Sequence, residues 1–130
     1  MIKSIKLIAV FVLMFSANLA ANEVHLVITQ DTKGDVAGCV ALNKQYNELA
    51  LKLIPNNHPT VRMVQASYAG SESGLLWQIV QFDDLADFAR TDAVLAASKE
   101  VMALDAKINK RCPIVSTSLG TQLYYNEGTK

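Results

Sequence analysis

No basic stripe runs anywhere through the 130 residues, and their 12 basic and 12 acidic side chains cancel. A chain that cannot neutralise a phosphate backbone is a poor nucleic-acid partner, so that class is set aside. Cysteine is scarce too. Cys39 and Cys112 have no third companion, form no C-x-x-C pair and lie near no histidine-rich spacing, which argues against dithiol redox chemistry and structural zinc. The two histidines, His25 and His58, have no second ligand at an i, i+4 or similar distance, so no metal site is expected and no cofactor is implied by the residues. Nucleophile elbow, phosphate-binding glycine loop and paired catalytic carboxylates are all missing, and nothing in the letters assigns a reaction. There is no low-complexity tract.

What is present begins with an address. Lys3 and Lys6 precede the apolar run Leu7 to Phe15, and small residues follow at Ser16, Ala17, Ala20 and Ala21. This is the layout of a secretory signal peptide, with cleavage expected after Ala21 and the neighbouring Ala20 as the alternative. The alternative, an uncleaved anchor helix, needs about 20 apolar residues, more than this core supplies. No cysteine follows the small residues, which argues against a lipid anchor. Removing residues 1–21 takes Lys3 and Lys6 from the 12 basic side chains, leaving 10 against 12 acidic and a net charge of −2. Residues 22–130 are then expected to form one domain with a single modest core, periplasmic or secreted and free of the membrane. In an oxidising compartment, two cysteines without a third predict one disulfide, Cys39–Cys112.

The stretch Val61 to Ala97 organises the rest. Two apolar runs, Val61 to Ala69 and Leu75 to Phe82, flank the polar tip Gly70-Ser71-Glu72-Ser73-Gly74, and the second run passes through Asp83-Asp84 into a helical pattern. Upstream, the β-branched Val24 to Gln30 predicts a first strand. Asp35 is a candidate N-cap for a helix from Val36 to Ile54, whose apolar face draws on Val36, Val40, Leu42, Leu49, Leu51, Leu53 and Ile54, and Pro55 ends it. Downstream, Asp83 or Asp84 caps a helix with Leu85, Phe88, Val94 and Leu95 on its apolar side, and Ser98 caps a further helical segment. Lys107, Lys110 and Arg111 gather at that segment's carbonyl end, where cations suit the dipole. Pro113 forbids continuation, and Ile114 to Tyr125 predicts the last strand.

The resulting order β-α-β-β-α-β predicts an α+β, ferredoxin-like antiparallel sheet with its helices on one face and strand order 4-1-3-2. Both faces of the third strand are largely apolar, Leu76, Gln78, Val80 and Phe82 alternating with Leu75, Trp77, Ile79 and Gln81. A sheet apolar on its uncovered side calls for a second copy, so a homodimer through the open face is expected. The same topology places the start of the first helix and the start of the fourth strand at one end of the layer, which brings Cys39 and Cys112 together.

The run LLWQIVQFDDLADFARTDAVLAASKEVMAL, followed by IVSTSLGTQLY, resembles the NIPSNAP family within the dimeric α+β barrel proteins. Phe82-Asp83-Asp84-Leu85 matches its aromatic-acidic-leucine helix start, and Leu95-Ala96-Ala97-Ser98 the end of its first helical piece. Val80 and Val101 stand where the family often has aromatics. The wider superfamily includes antibiotic biosynthesis monooxygenases, haem-degrading enzymes and barrels of no assigned activity, so the resemblance implies a fold and a ligand cleft between sheet and helices without selecting an activity.

Three functions stay open at this level. The first is binding of a small apolar or aromatic molecule. Trp77 and Gln78 are its candidate contacts, with Tyr68, Phe82 and Phe88 as further aromatics, although aromatics at strand and helix spacing are more often core. The second is a small monooxygenase, cofactor-free or haem-using, with His25 as general base or axial ligand, set against an ordinary hydrogen-bonded strand histidine. The third is an accessory subunit of an exported complex. Arg62 at a strand start is read as exposed, His58 as a loop residue, and Asp83, Asp84 and Asp87 as helix-start acids explained by capping and the dipole.

Overall fold

A computed structural model describes residues 22–67 and 73–122. The predicted signal peptide, Tyr68, most of the hairpin tip and the expected continuation of the last strand to Tyr125 lie outside the described residues. The elements are β1 (Val24–Gln30), α1 (Val36–Leu53), β2 (Thr60–Gln65), β3 (Leu76–Phe82), α2 (Leu85–Ala96), α3 (Lys99–Arg111) and β4 (Ile114–Thr121). The four strands form one sheet in the order β2-β3-β1-β4, with every neighbouring pair antiparallel. This α+β arrangement is compatible with a ferredoxin-like fold, with three helices where that pattern has two. The third arises at Ser98, whose hydroxyl accepts a hydrogen bond from the Val101 amide and separates α3 from α2.

Each helix starts on a side-chain cap. Asp35 accepts from the Gly38 amide at 2.9 Å, and Asp84 accepts from the Asp87 amide at 2.7 Å. Between β1 and α1 the Asp31 carboxylate accepts from the Lys33 amide, and Lys33 and Gly34 both take left-handed backbone angles, with φ of 49° and 84°. Only a glycine takes that conformation freely, so Gly34 lets the chain reverse within a few residues.

The side chains of β3 alternate strictly: Leu76, Gln78, Val80 and Phe82 are buried, while Trp77, Ile79 and Gln81 are half-buried. Register puts Val24, Leu26, Ile28 and Gln30 of β1 on the same side as the buried set. All three helices pack on this side, and the core there has two centres. Cys39, Leu42, Leu76, Ile108 and Cys112 form one, with Tyr46, Met63 and Leu104 against it. Val24, Val80 and Phe82 form the other, joined by Leu26, Val61 and Phe88, with the Phe82 and Phe88 rings edge to face at 5.2 Å.

Cys39 and Cys112 are bonded, with Cα atoms 5.9 Å apart and no solvent exposure. The end of the layer that holds them is tied several times over. The Asp31 amide donates to the Pro113 carbonyl at 2.9 Å, the Thr32 hydroxyl donates to the Gly74 carbonyl at 3.0 Å, and Arg111 pairs with Asp35.

The helix faces differ from their expected composition. On α1 the buried residues are Cys39, Leu42, Asn43 and Ala50, whereas Leu51 and Leu53 are exposed. On α2 the most buried residues are Asp87 and Thr91, and Leu85 is exposed. Asn43 is tolerated because its amide donates to Gln30 Oε1 at 2.8 Å and to the Cys39 carbonyl at 2.9 Å. Among the described residues, no helix is long and apolar enough to cross a membrane.

Candidate functional site

Between the two core centres the packing opens. A cavity of about 110 Å³ lies where β1 and β3 face α1 and α2. Its wall is mostly apolar, built from Leu26, Ile28, Val80, Phe82, Phe88 and Leu95. The strand residues reach it because they occupy alternate positions on the helix side of the sheet; the helix residues Phe88, Thr91 and Leu95 reach it because they follow one another by three and four positions.

A few polar groups converge on this apolar wall. Gln78 sits in mid-strand with 5% exposure, and Thr91 lies opposite on α2 with 4%. The Thr91 hydroxyl is buried and has no hydrogen-bond partner. A buried hydroxyl without a partner costs free energy, so it is normally matched by protein, water or ligand. Tyr46 and Asn47 come from α1, and the exposed Asp92 marks the mouth. Burial raises the pKa of the Tyr46 phenol, with the negative charges of Asp105 and Asp92 adding to the effect. A smaller void of about 60 Å³ adjoins, shares Ile28, Tyr46 and Gln78 with the first, and reaches Asp105 on α3.

The other face of the sheet carries a different cluster. His25 Nε2 lies 3.0 Å from Gln122 Oε1 and 3.7 Å from Glu23 Oε2, and with Arg62 and Gln81 these residues border an open trough of about 640 Å³. Larger though it is, the trough holds no buried group left unmatched among the described residues, because its histidine, glutamine and glutamate already face one another. Val27, Trp77, Ile79 and Val64 continue this face as an apolar strip, paired across the strands as Val27–Ile79 and Val64–Trp77.

The residues singled out from sequence are therefore divided. Gln78, Phe82 and Phe88 share the cavity. Trp77 and His25 lie on the opposite face, away from Gln78, and neither borders the cavity. Tyr68 lies outside the described residues. His58 Nε2 is 2.7 Å from the Ile54 carbonyl and serves the α1–β2 connection. Asp84 caps α2, and the buried Asp87 pairs with Arg90. Arg62 is exposed. Among the described residues no group of three or more histidine, cysteine, aspartate or glutamate side chains is placed to hold a metal ion. Thr91 and Asn47 carry no sequence signal of their own; the one hint was Gln78, a polar letter inside an apolar strand.

No protein-family model, curated protein or solved structure matches the chain.

Proposed function

We propose that the protein is an exported, NIPSNAP-like dimeric α+β barrel that binds a small apolar or aromatic molecule between its sheet and helices. One observation carries the reading: an apolar cavity whose wall includes Thr91, a buried residue whose hydroxyl has no hydrogen-bond partner. Such a hydroxyl is the sort of polar group that orients a ligand in an otherwise apolar site. At about 110 Å³, against roughly 150 Å³ for an engineered apolar cavity that holds benzene, the space limits the ligand to a single ring. Export is supported by the N-terminal signal pattern and by a disulfide of the kind that persists in oxidising compartments. The dimer is supported by the uncovered sheet face, where Trp77, Ile79, Val27 and Val64 form an apolar strip that a second copy would cover.

Chemical-shift mapping with phenol as probe tests the binding site. The expected perturbations cluster on the amides of Gln78, Val80, Phe88 and Thr91, and Ala50→Leu, which adds bulk to the cavity wall, weakens them at least tenfold. Perturbations confined to the His25 trough, or none at millimolar phenol, overturn the assignment.

A further inference from the structure

The charge in the walls of the cavity and its adjoining void is one-sided, and the nearby Arg90, which borders a separate recess, is paired with Asp87. Neither the main cavity nor the adjoining void has a lysine, arginine or histidine in its wall, while each has one carboxylate, Asp92 in the first and Asp105 in the second. Their shared wall is Tyr46, Gln78 and Ile28. A carboxylate ligand placed there would lose its hydration and gain no counter-charge, the costliest arrangement for an ion. A cation would meet Asp92 at the mouth while its apolar part lies against Phe82 and Phe88, and the faces of aromatic rings also attract cations.

Resting on the reading that this cavity is a ligand site, we infer that its ligand is a small aromatic amine in protonated form. The ring occupies the apolar pocket beside Phe82 and Phe88, the ammonium points to Asp92, and any hydrogen-bond acceptor on the ring meets the Thr91 hydroxyl. The two acids act on the same place: burial is the main cause of the raised pKa of the Tyr46 phenol, and Asp105 and Asp92 add to it, so both make the shared wall less favourable for negative charge. The unpartnered Thr91 hydroxyl is independent of the acids and belongs to a residue of the cavity wall, whereas the acids decide the sign of what enters.

Three single-ring probes of similar size separate the possibilities: benzylamine, benzyl alcohol and benzoate, titrated into the full mature protein at low salt and followed by the cavity amides. The expected result is benzylamine binding about tenfold tighter than benzyl alcohol, with benzoate not binding. The gap narrows in high salt, because Asp92 is exposed and its field is screened. Asp92→Asn, on a solvated position of α2, removes most of the preference, and Asp92→Glu restores it. Equal binding of benzylamine and benzyl alcohol, or any binding of benzoate comparable to either, overturns the charge selection while the ligand site itself stands. A preference that survives both Asp92→Asn and Asp105→Asn also overturns it. If none of the three probes binds, the ligand-site reading fails together with the inference.

Discussion

Arg111 Nε donates to Asp35 Oδ2 at 2.9 Å, joining the last residue of α3 to the N-cap of α1. The pair sits beside the disulfide, since Cys112 is the next residue after Arg111 and Cys39 lies in the first turns of α1. Gly38 makes room for it: a Cβ at that position would overlap both the Asp35 carboxylate and the Arg111 guanidinium. A glycine inside a helix costs about 1 kcal/mol relative to alanine, so its presence here reflects the space the pair needs.

Asp35 should titrate below its ordinary value of 3.8, because Arg111 first, and then the Gly38 amide, favour its charged form. A carboxylate depressed in the folded state adds stability above its ordinary pKa, and that stability is lost as pH falls below that value and through the folded one. Asp35→Asn keeps a capping side chain but discards the charge. Its melting temperature should therefore fall below wild type at neutral pH and converge with it under acid conditions. Gly38→Ala should raise the Asp35 pKa toward its ordinary value, read by carbon-detected NMR titration of the carboxyl. An unchanged pKa in Gly38→Ala would mean that the pair does not need the space.

The disulfide closes a loop across a sequence separation of 73 and is fully buried. The chain-entropy model values such a closure at about 4 kcal/mol, a large share of the 5–15 kcal/mol typical of a folded domain. Cys39→Ala/Cys112→Ala should lose about that much in urea unfolding, with little change in secondary structure under native conditions. Because both sulfurs are buried, a thiol reductant should act slowly on the native protein and quickly in moderate urea. Fast reduction in the absence of urea would show that this end of the layer opens readily.

Much of this architecture was legible because its signals are local. Asp35, Asp84 and Ser98 are caps by residue type, and Pro55 and Pro113 are stops, whereas the side that β3 buries was not legible, because both of its faces read as largely apolar. The cysteine pairing followed from there being two cysteines and no third, and the expected strand order placed both at one end of the layer. The helix faces were less legible. Leu51 and Leu53 look like core letters, yet α1 buries Asn43 because Gln30, on another element, satisfies its amide. A polar pair formed across 13 residues has no trace in the periodicity of either segment. The cavity was half legible: Gln78 stands out in an apolar strand, whereas Thr91 is one threonine in a helix. Trp77 and Gln78, adjacent in sequence, cannot share a site, since successive strand residues face opposite sides.

The open face offers a direct test of assembly. Val64 is 41% exposed at the edge of the apolar strip that includes Trp77 and Ile79, so a charge there should cost the fold little. In a face-to-face dimer the same position is covered, and a buried unpaired lysine is heavily penalised. Val64→Lys should thus convert a dimer to a monomer, read by native mass spectrometry as a halving of mass, with an unchanged circular dichroism spectrum. A wild-type protein that is monomeric at micromolar concentration would remove the homodimer.

Thr91→Val puts the ligand reading and the stability of the empty protein in opposition. Valine and threonine have nearly the same shape and similar helix propensity, so the substitution chiefly deletes the hydroxyl. That hydroxyl is buried without a partner, and its removal should stabilise the unliganded protein by about 1 kcal/mol, a rise of roughly 4 °C in melting temperature for a domain of this size. The same change deletes the group proposed to orient the ligand, so phenol affinity should fall by about fivefold, the equivalent of one ordinary hydrogen bond. Gln78→Met, a swap at the opposite wall, should weaken binding without the same gain in melting temperature if the amide contributes through the ligand. A Thr91→Val protein that melts lower than wild type would mean the hydroxyl is already matched in the empty cavity, and a group already matched has no reason to wait for a ligand.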